Sequence, residues 1–174
     1  MRGCEVRWVA EIAAATGAAV RMNCLLGHGS SDIAGTFRPA SNLLHQRAMA
    51  GARHFRELVC WQLAQELKVA VYRLAEQPPL KNDFRFSGQF RDAAASAPRN
   101  IAEGFGRRTH ADFAHFLDVA RASLGECQNH LQDAVDRGYL SPNDFTTLNA
   151  LAERACGAVA GLQRYLRKRH VPLR

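Results

Sequence analysis

Apolar residues in the second half of the chain recur with alternating steps of four and three. Phe113, Leu117, Ala120, Leu124, Cys127, Leu131 and Ala134 form one stripe; Phe145, Leu148, Ala152, Ala155, Val159, Leu162 and Leu166 form another. A helix of 3.6 residues per turn puts each set on a single face. The alternation is that of knobs-into-holes packing between long helices. Only a few residues link the two helices, and so short a link turns the second back against the first. The corner carries matching signals. Gly138 suits a helix end. Ser141 suits an N-cap, Pro142 the first helical position and Asp144 the first turn, while Leu140 and Phe145 are spaced for a hydrophobic staple. Thr109 and Asp112 form a capping-box variant with Asp in place of Glu, which predicts the start of the third helix at Thr109. Each of these two helices would be about 40 Å long.

Two more helices precede them. The first is predicted from Phe55 to Glu76, stopped by Pro78-Pro79. It carries two apolar faces. Val59, Leu63, Leu67, Ala70 and Leu74 make one, with Cys60, Ala64 and Val71 beside it. Leu58, Trp61, Val69 and Tyr72 make the other, with Gln65 in its middle. A monomeric bundle needs one such face, so the second predicts a subunit contact; cover by the N-terminal residues is the alternative. The second helix is predicted from Gly88 to Gly104, with Ser87 as N-cap. Phe86, Phe90, Ala94, Ala97, Ile101 and Phe105 share its buried face. Pro98 lacks an N–H and crowds the preceding turn, so a kink or restart is expected there, with Asn100 bonding the freed carbonyls. Gly104 suits a left-handed terminal residue, and Gly106 would keep the next residues mobile. The expected fold is all-α: an antiparallel up-down-up-down four-helix bundle over residues 55–170 with a Pro-kinked second helix. Residues 171–174 read as a tail.

Residues 1–54 differ in character. Ile12 to Val20 is rich in Ala and Gly, too short and weakly apolar to span a membrane. Glu5 and Glu11 stand where a secretory signal needs positive charge. Gly27 to Gly35 reads as loop. The expectation is a poorly ordered or partly helical extension, with Val6 to Val20 as the candidate helix. A start set too far upstream fits as well, since Met49 lies just before the domain. Net charge is +7 with a pI near 9.6. It divides as six Lys and Arg against three acids up to residue 54, and seventeen against thirteen beyond. The five cysteines (Cys4, Cys24, Cys60, Cys127 and Cys156) are odd in number and lack a Cys-x-x-Cys pair. Reduced, buried thiols in a cytoplasmic protein are the expectation.

The segment from Gln89 to Arg108 carries the most specific pattern. Ala94, Ser96 to Pro98, Asn-Ile-Ala-Glu-Gly at 100–104 and Gly106-Arg107 resemble the signature of a bacterial "four helix bundle protein" family. Leu58…Trp61-Gln62 upstream and Phe113…Phe116-Leu117…Ala120…Ser123-Leu124 downstream extend the resemblance over about residues 55–170. That family includes the 23S rRNA intervening-sequence proteins and is related to the accessory variability determinant of diversity-generating retroelements. Cys60, Asp92 and Gly125 depart from it without breaking it. The resemblance implies a homopentameric ring. For the retroelement members it implies binding to nucleic acid and to a reverse transcriptase.

Up-down-up-down topology would gather Arg53, Arg56, Arg107, Arg108, Arg164, Arg167, Lys168 and Arg169 at one end. Glu76, Asp83, Asp133, Asp136 and Asp144 would gather at the other, partly balanced by Lys81, Arg85 and Arg137. Arginine forks fit phosphate oxygens; cations in a last turn also simply complement the helix dipole. No stacking platform of interleaved aromatics is evident, which predicts backbone recognition rather than base reading. No cofactor is called for. His110 and His115 are five apart and share no ligand face, and His130 is expected on the outer side of its helix. Asn100 and Glu103 lack a nucleophile or phosphate loop. They read as structural groups with Pro98 and Gly104, and Glu103 as an ion-pair partner for Arg107. The expectation is a non-enzymatic oligomeric adaptor with a basic pole on RNA or DNA. The alternative is a protein-binding scaffold that binds no nucleic acid.

Overall fold

The computed structural model describes residues 52–168. Residues 1–51 of the N-terminal extension, Cys4 and Cys24 among them, and Arg169 with the 171–174 tail lie outside the described residues. Four α-helices and no strands occur among the described residues: α1 Val59–Ala75, α2 Phe84–Phe105, α3 His110–Asp136 and α4 Pro142–Lys168, with short 3-10 turns at Phe55–Glu57 and Leu80–Asn82. α2 packs on α1 and α3, and α4 packs on α3 and α1. Four amphipathic helices thereby enclose one core.

Cross-helix contacts give the directions. Ser123 Oγ meets Ser96 Oγ at 2.8 Å, while Phe113 faces Phe105 with ring centroids 6.2 Å apart. α2 and α3 therefore run oppositely. Gln128 Nε2 donates to Asn149 Oδ1 at 2.9 Å and Gln163 Nε2 to the Ala114 carbonyl at 3.1 Å, so α3 and α4 do too. Both predicted stripes are buried throughout, except that Phe145 is half-covered.

Local chemistry sets the ends. Thr109 Oγ1 accepts from Asp112 N at 3.1 Å and donates to Asp112 Oδ2 at 2.6 Å; Ser141 and Asp144 repeat the pattern at 3.1 and 2.8 Å. α3 closes with Gly138 at φ 71°. The Gly138 N–H bonds the Val135 carbonyl at 2.8 Å, and that of Tyr139 bonds the Ala134 carbonyl at 2.7 Å, which makes a Schellman end.

α2 departs from expectation. It begins a turn earlier, capped by Asp83, whose Oδ1 accepts from Phe86 N at 3.1 Å; Ser87 is a buried helical residue. The helix continues through Pro98 without restarting. Asn100 Nδ2 donates to the Ser96 carbonyl at 2.8 Å and to Ser96 Oγ at 3.0 Å. The carbonyl four residues before the proline is that of Ala94, so Asn100 serves a different one. With Ser123 it ties α2 to α3 through a short polar bridge. Gly104 is not a left-handed terminus but a helical residue at a close approach. A Cβ there would lie 2.5 Å from Phe113 Cδ2 and 2.8 Å from Phe116 Cβ. Gly106 is the ordinary right-handed C-cap.

α1 is rotated from the expected wheel. Cys60, Ala64, Leu67, Ala70, Val71, Leu74 and Ala75 are buried, whereas Val59 is 38% exposed and Leu63 is half-covered.

Candidate nucleic-acid interface

The contacts that fix α3 and α4 also bring the end of α4 beside the start of α3. Arg167 reaches Asp118 at 2.9 Å, and Gln163 holds Ala114. The turn between α2 and α3 joins them there. Arg91 lies 5.0 Å over the Tyr72 ring, which fixes α1 against α2, and the 3-10 turn before α1 packs on α2 as well. That turn sits far upstream of Tyr72, so it meets α2 toward its C-terminal end. Arg53, Arg56, Arg107, Arg108, Arg164, Arg167 and Lys168 are exposed and lie on the chain segments that these contacts bring toward one end, the cap.

Not all are equally free. Arg107 pairs with Glu103 one turn back and lies 4.4 Å over the Phe116 ring. Arg167 is held by Asp118. Arg53, Arg56, Arg108, Arg164 and Lys168 form no ion pair among the described residues. Four carboxylates, those of Glu57, Glu103, Asp112 and Asp118, are interleaved with the seven cations. The charges are therefore less cleanly sorted to the two ends than the sequence suggested. Glu57 accepts from Arg53 N at 3.0 Å, and Asp112 is engaged by Thr109. At the far end Asp83 takes Arg137 at 3.2 Å and the Tyr139 hydroxyl at 3.3 Å, and Asp144 is buried in its cap.

Sequence reasoning missed the aromatic groups at the cap. The His54 and Phe55 rings lie with centroids 4.2 Å apart at a 37° tilt, and Arg56 lies 5.7 Å from the Phe55 ring. Trp61 braces Phe55 edge-on at 5.2 Å. The signal that could have found them is the His54-Phe55-Arg56 triplet, of which charge alone picks out Arg56.

The residues of the expected contact strip on α1 have different surroundings. Leu58 does not belong to it: at 1% exposure it is a core residue. It precedes the helix in an extended conformation, φ −73° and ψ 123°, so helical spacing does not govern its direction. Trp61, Gln65 and Val69 line a shallow groove of about 410 Å³ with Gln62, Glu66 and Arg73. Tyr72 lies beyond it, flanked by Lys68 at 5.4 Å and Arg91 at 5.0 Å.

His130 is not on the outer face. It is buried against Phe86 and Phe90, with centroids 5.4 and 5.6 Å away, and Glu126 Oε1 is 3.9 Å from Nε2. Among the described residues no three His, Cys, Asp or Glu side chains gather as a metal site, and no helix is long and apolar enough to cross a membrane. Cys60, Cys127 and Cys156 are free thiols. Burial pushes Cys60 and Cys127 up to about 12 and also raises Cys156.

Comparison with known proteins agrees with this architecture. A crystal structure from Bacteroides thetaiotaomicron, a protein of unknown function from the S23 ribosomal protein family, matches with a TM-score of 0.54 and 19% identity. The match covers 58% of this chain and 94% of that one, a likeness of fold. No curated protein matches the sequence. The family model described as 23S rRNA-intervening sequence protein matches residues 56–161. With more than half its length so matched, and a four-helix core of the same kind, the chain belongs to the 23S rRNA-intervening sequence protein family.

Proposed function

We propose that this protein is a non-enzymatic, oligomeric adaptor that binds the phosphate backbone of RNA or DNA through its basic cap. The carrying observation is the convergence of seven exposed cations from three chain segments, five of them outside any ion pair among the described residues. Dipole complementation accounts for Arg167 and Lys168 in the last turn of α4. It does not account for Arg53, which precedes the first helical turn, or for cations from three segments lying close together. Guanidinium forks suit phosphate oxygens, and each phosphate neutralised releases counterions. The family's name, tied to ribosomal RNA genes, is in keeping with a nucleic-acid partner.

In this reading the helices run up-down-up-down. The strip of Trp61, Gln65, Val69 and Tyr72 meets a second copy, and the assembly is the five-membered ring that the family resemblance implies. Parallel copies in a ring set their caps side by side and multiply the field. A cytoplasmic location goes with such a partner. The α1 groove also supports a second reading, a protein-binding scaffold without nucleic acid. Titrating the full chain into labelled RNA separates the two. Binding that weakens with salt and is lost in Arg107→Glu/Arg108→Glu/Arg167→Glu supports the adaptor. Absence of RNA and DNA binding at low salt eliminates it and leaves the scaffold.

A further inference from the structure

We infer that the basic cap takes unpaired nucleotides in preference to duplex, stacking bases on two planar platforms. This rests on the proposed nucleic-acid function and adds the class of strand.

The first platform is His54 on Phe55. Their ring centroids are 4.2 Å apart with the planes tilted by 37°, and His54 Nδ1 accepts from Arg56 N at 3.2 Å, which fixes the imidazole as the outer, exposed plane. Trp61 braces Phe55 from the side at 5.2 Å, and Arg53 and Arg56 flank the pair. The second platform is the Arg107 guanidinium. Phe116 supports it from one face at 4.4 Å and Glu103 holds its edge, while Arg107 itself stays exposed. Bases of unpaired strands stack on aromatic rings and on guanidinium planes alike. A guanidinium already resting on a ring offers its other face without losing freedom on binding.

Pure charge attraction predicts the opposite preference. Duplex packs more phosphates per unit length than a single strand and gives the stronger salt response. A cap that only neutralised phosphates would bind duplex at least as well. A cap with stacking planes gains from bases that duplex keeps in its own stack.

The test measures anisotropy of labelled oligouridine, free and paired with oligoadenine, with the full chain at one salt concentration. Oligouridine should bind more tightly than the duplex. His54→Ala removes the outer ring of the first platform and Arg107→Lys the second plane, alone and together; both positions are exposed, and Arg107→Lys keeps its charge. The single-strand advantage should shrink about fivefold or more in the double variant, the scale of one lost stacking contact. Duplex binding equal to or tighter than single-strand binding overturns the inference and leaves the adaptor reading standing. So does a single-strand advantage that survives both substitutions. Failure of both probes to bind overturns the adaptor reading as well.

Discussion

Replacing Gly104 with Ala sets two effects of known sign against each other. In a helix interior Ala is better than Gly by about 1 kcal/mol. The added methyl carbon would sit 2.5 Å from Phe113 Cδ2, 3.1 Å from its Cε2 and 2.8 Å from Phe116 Cβ. Phe113 is in the core and cannot swing away, and a Cβ moves only with its backbone. The start of α3 must therefore retreat from the end of α2. Overpacking of this kind costs about 1–3 kcal/mol, and two contacts this short put it at or above the upper figure. The net loss should be roughly 2 kcal/mol, or about 8 °C in midpoint for a domain of this size. Gly125 and Gly157 are the internal controls: both are helical, and a Cβ at either meets nothing within 4 Å. Ala at each should raise stability by about 0.5–1 kcal/mol. Thermal and urea unfolding by circular dichroism, at one protomer concentration, compares the three. A Gly104→Ala protein as stable as Gly125→Ala would refute the close-approach argument.

Other substitutions probe the far end, the thiols and the α1 strip. Asp83→Ala removes the α2 cap and the anchor for Arg137 and Tyr139, and should cost about 2 kcal/mol in urea unfolding, most of it from the cap because Arg137 is half-exposed. The unfolded Cys127 thiol loses its proton near its ordinary value of 9, the folded one only near 12. The raised value stabilises the fold fully below pH 9, and the contribution fades as pH climbs to 12, by up to about 1.4 kcal/mol per pH unit. Cys127→Ala should therefore flatten the alkaline decline in stability; an unchanged slope would contradict its burial. Trp61→Glu puts a charge in the α1 groove, and light scattering should record a smaller assembly than the parent's. An unaltered mass would remove the strip from the subunit contact.

The sequence made the fold readable where helical spacing alone decides direction. α3 and α4 present regular stripes, and both are buried as the period requires. Spacing failed where other geometry ruled. Leu58 lies outside the helix, so no wheel applies to it. His130 is polar by type, yet α3 is covered on two flanks, and the one toward α2 needs a ring against Phe86 and Phe90. Gly104 looked like a terminus because glycine so often is one; only the three-dimensional approach of Phe113 and Phe116 reveals its use. The expectation of a basic cap came from the tight corners, which constrain which ends meet. Its carboxylates and aromatic supports were not readable, since pairing such as Arg167 with Asp118 joins residues far apart in the chain. The α2 start was misplaced because Ser87 and Asp83 are both competent caps; Asp83 takes the Phe86 N–H, and Ser87 is buried inside the helix.

The most direct test of the account is the salt dependence of RNA binding by the parent and by Arg108→Glu/Arg164→Glu, two exposed cap cations that form no ion pair among the described residues. The logarithm of the binding constant should fall linearly with that of salt, and the variant's slope should be shallower by at least about 0.7 for each cation removed. Equal slopes in the two proteins, or no binding by the parent at low salt, would contradict the claim that this cap meets nucleic acid.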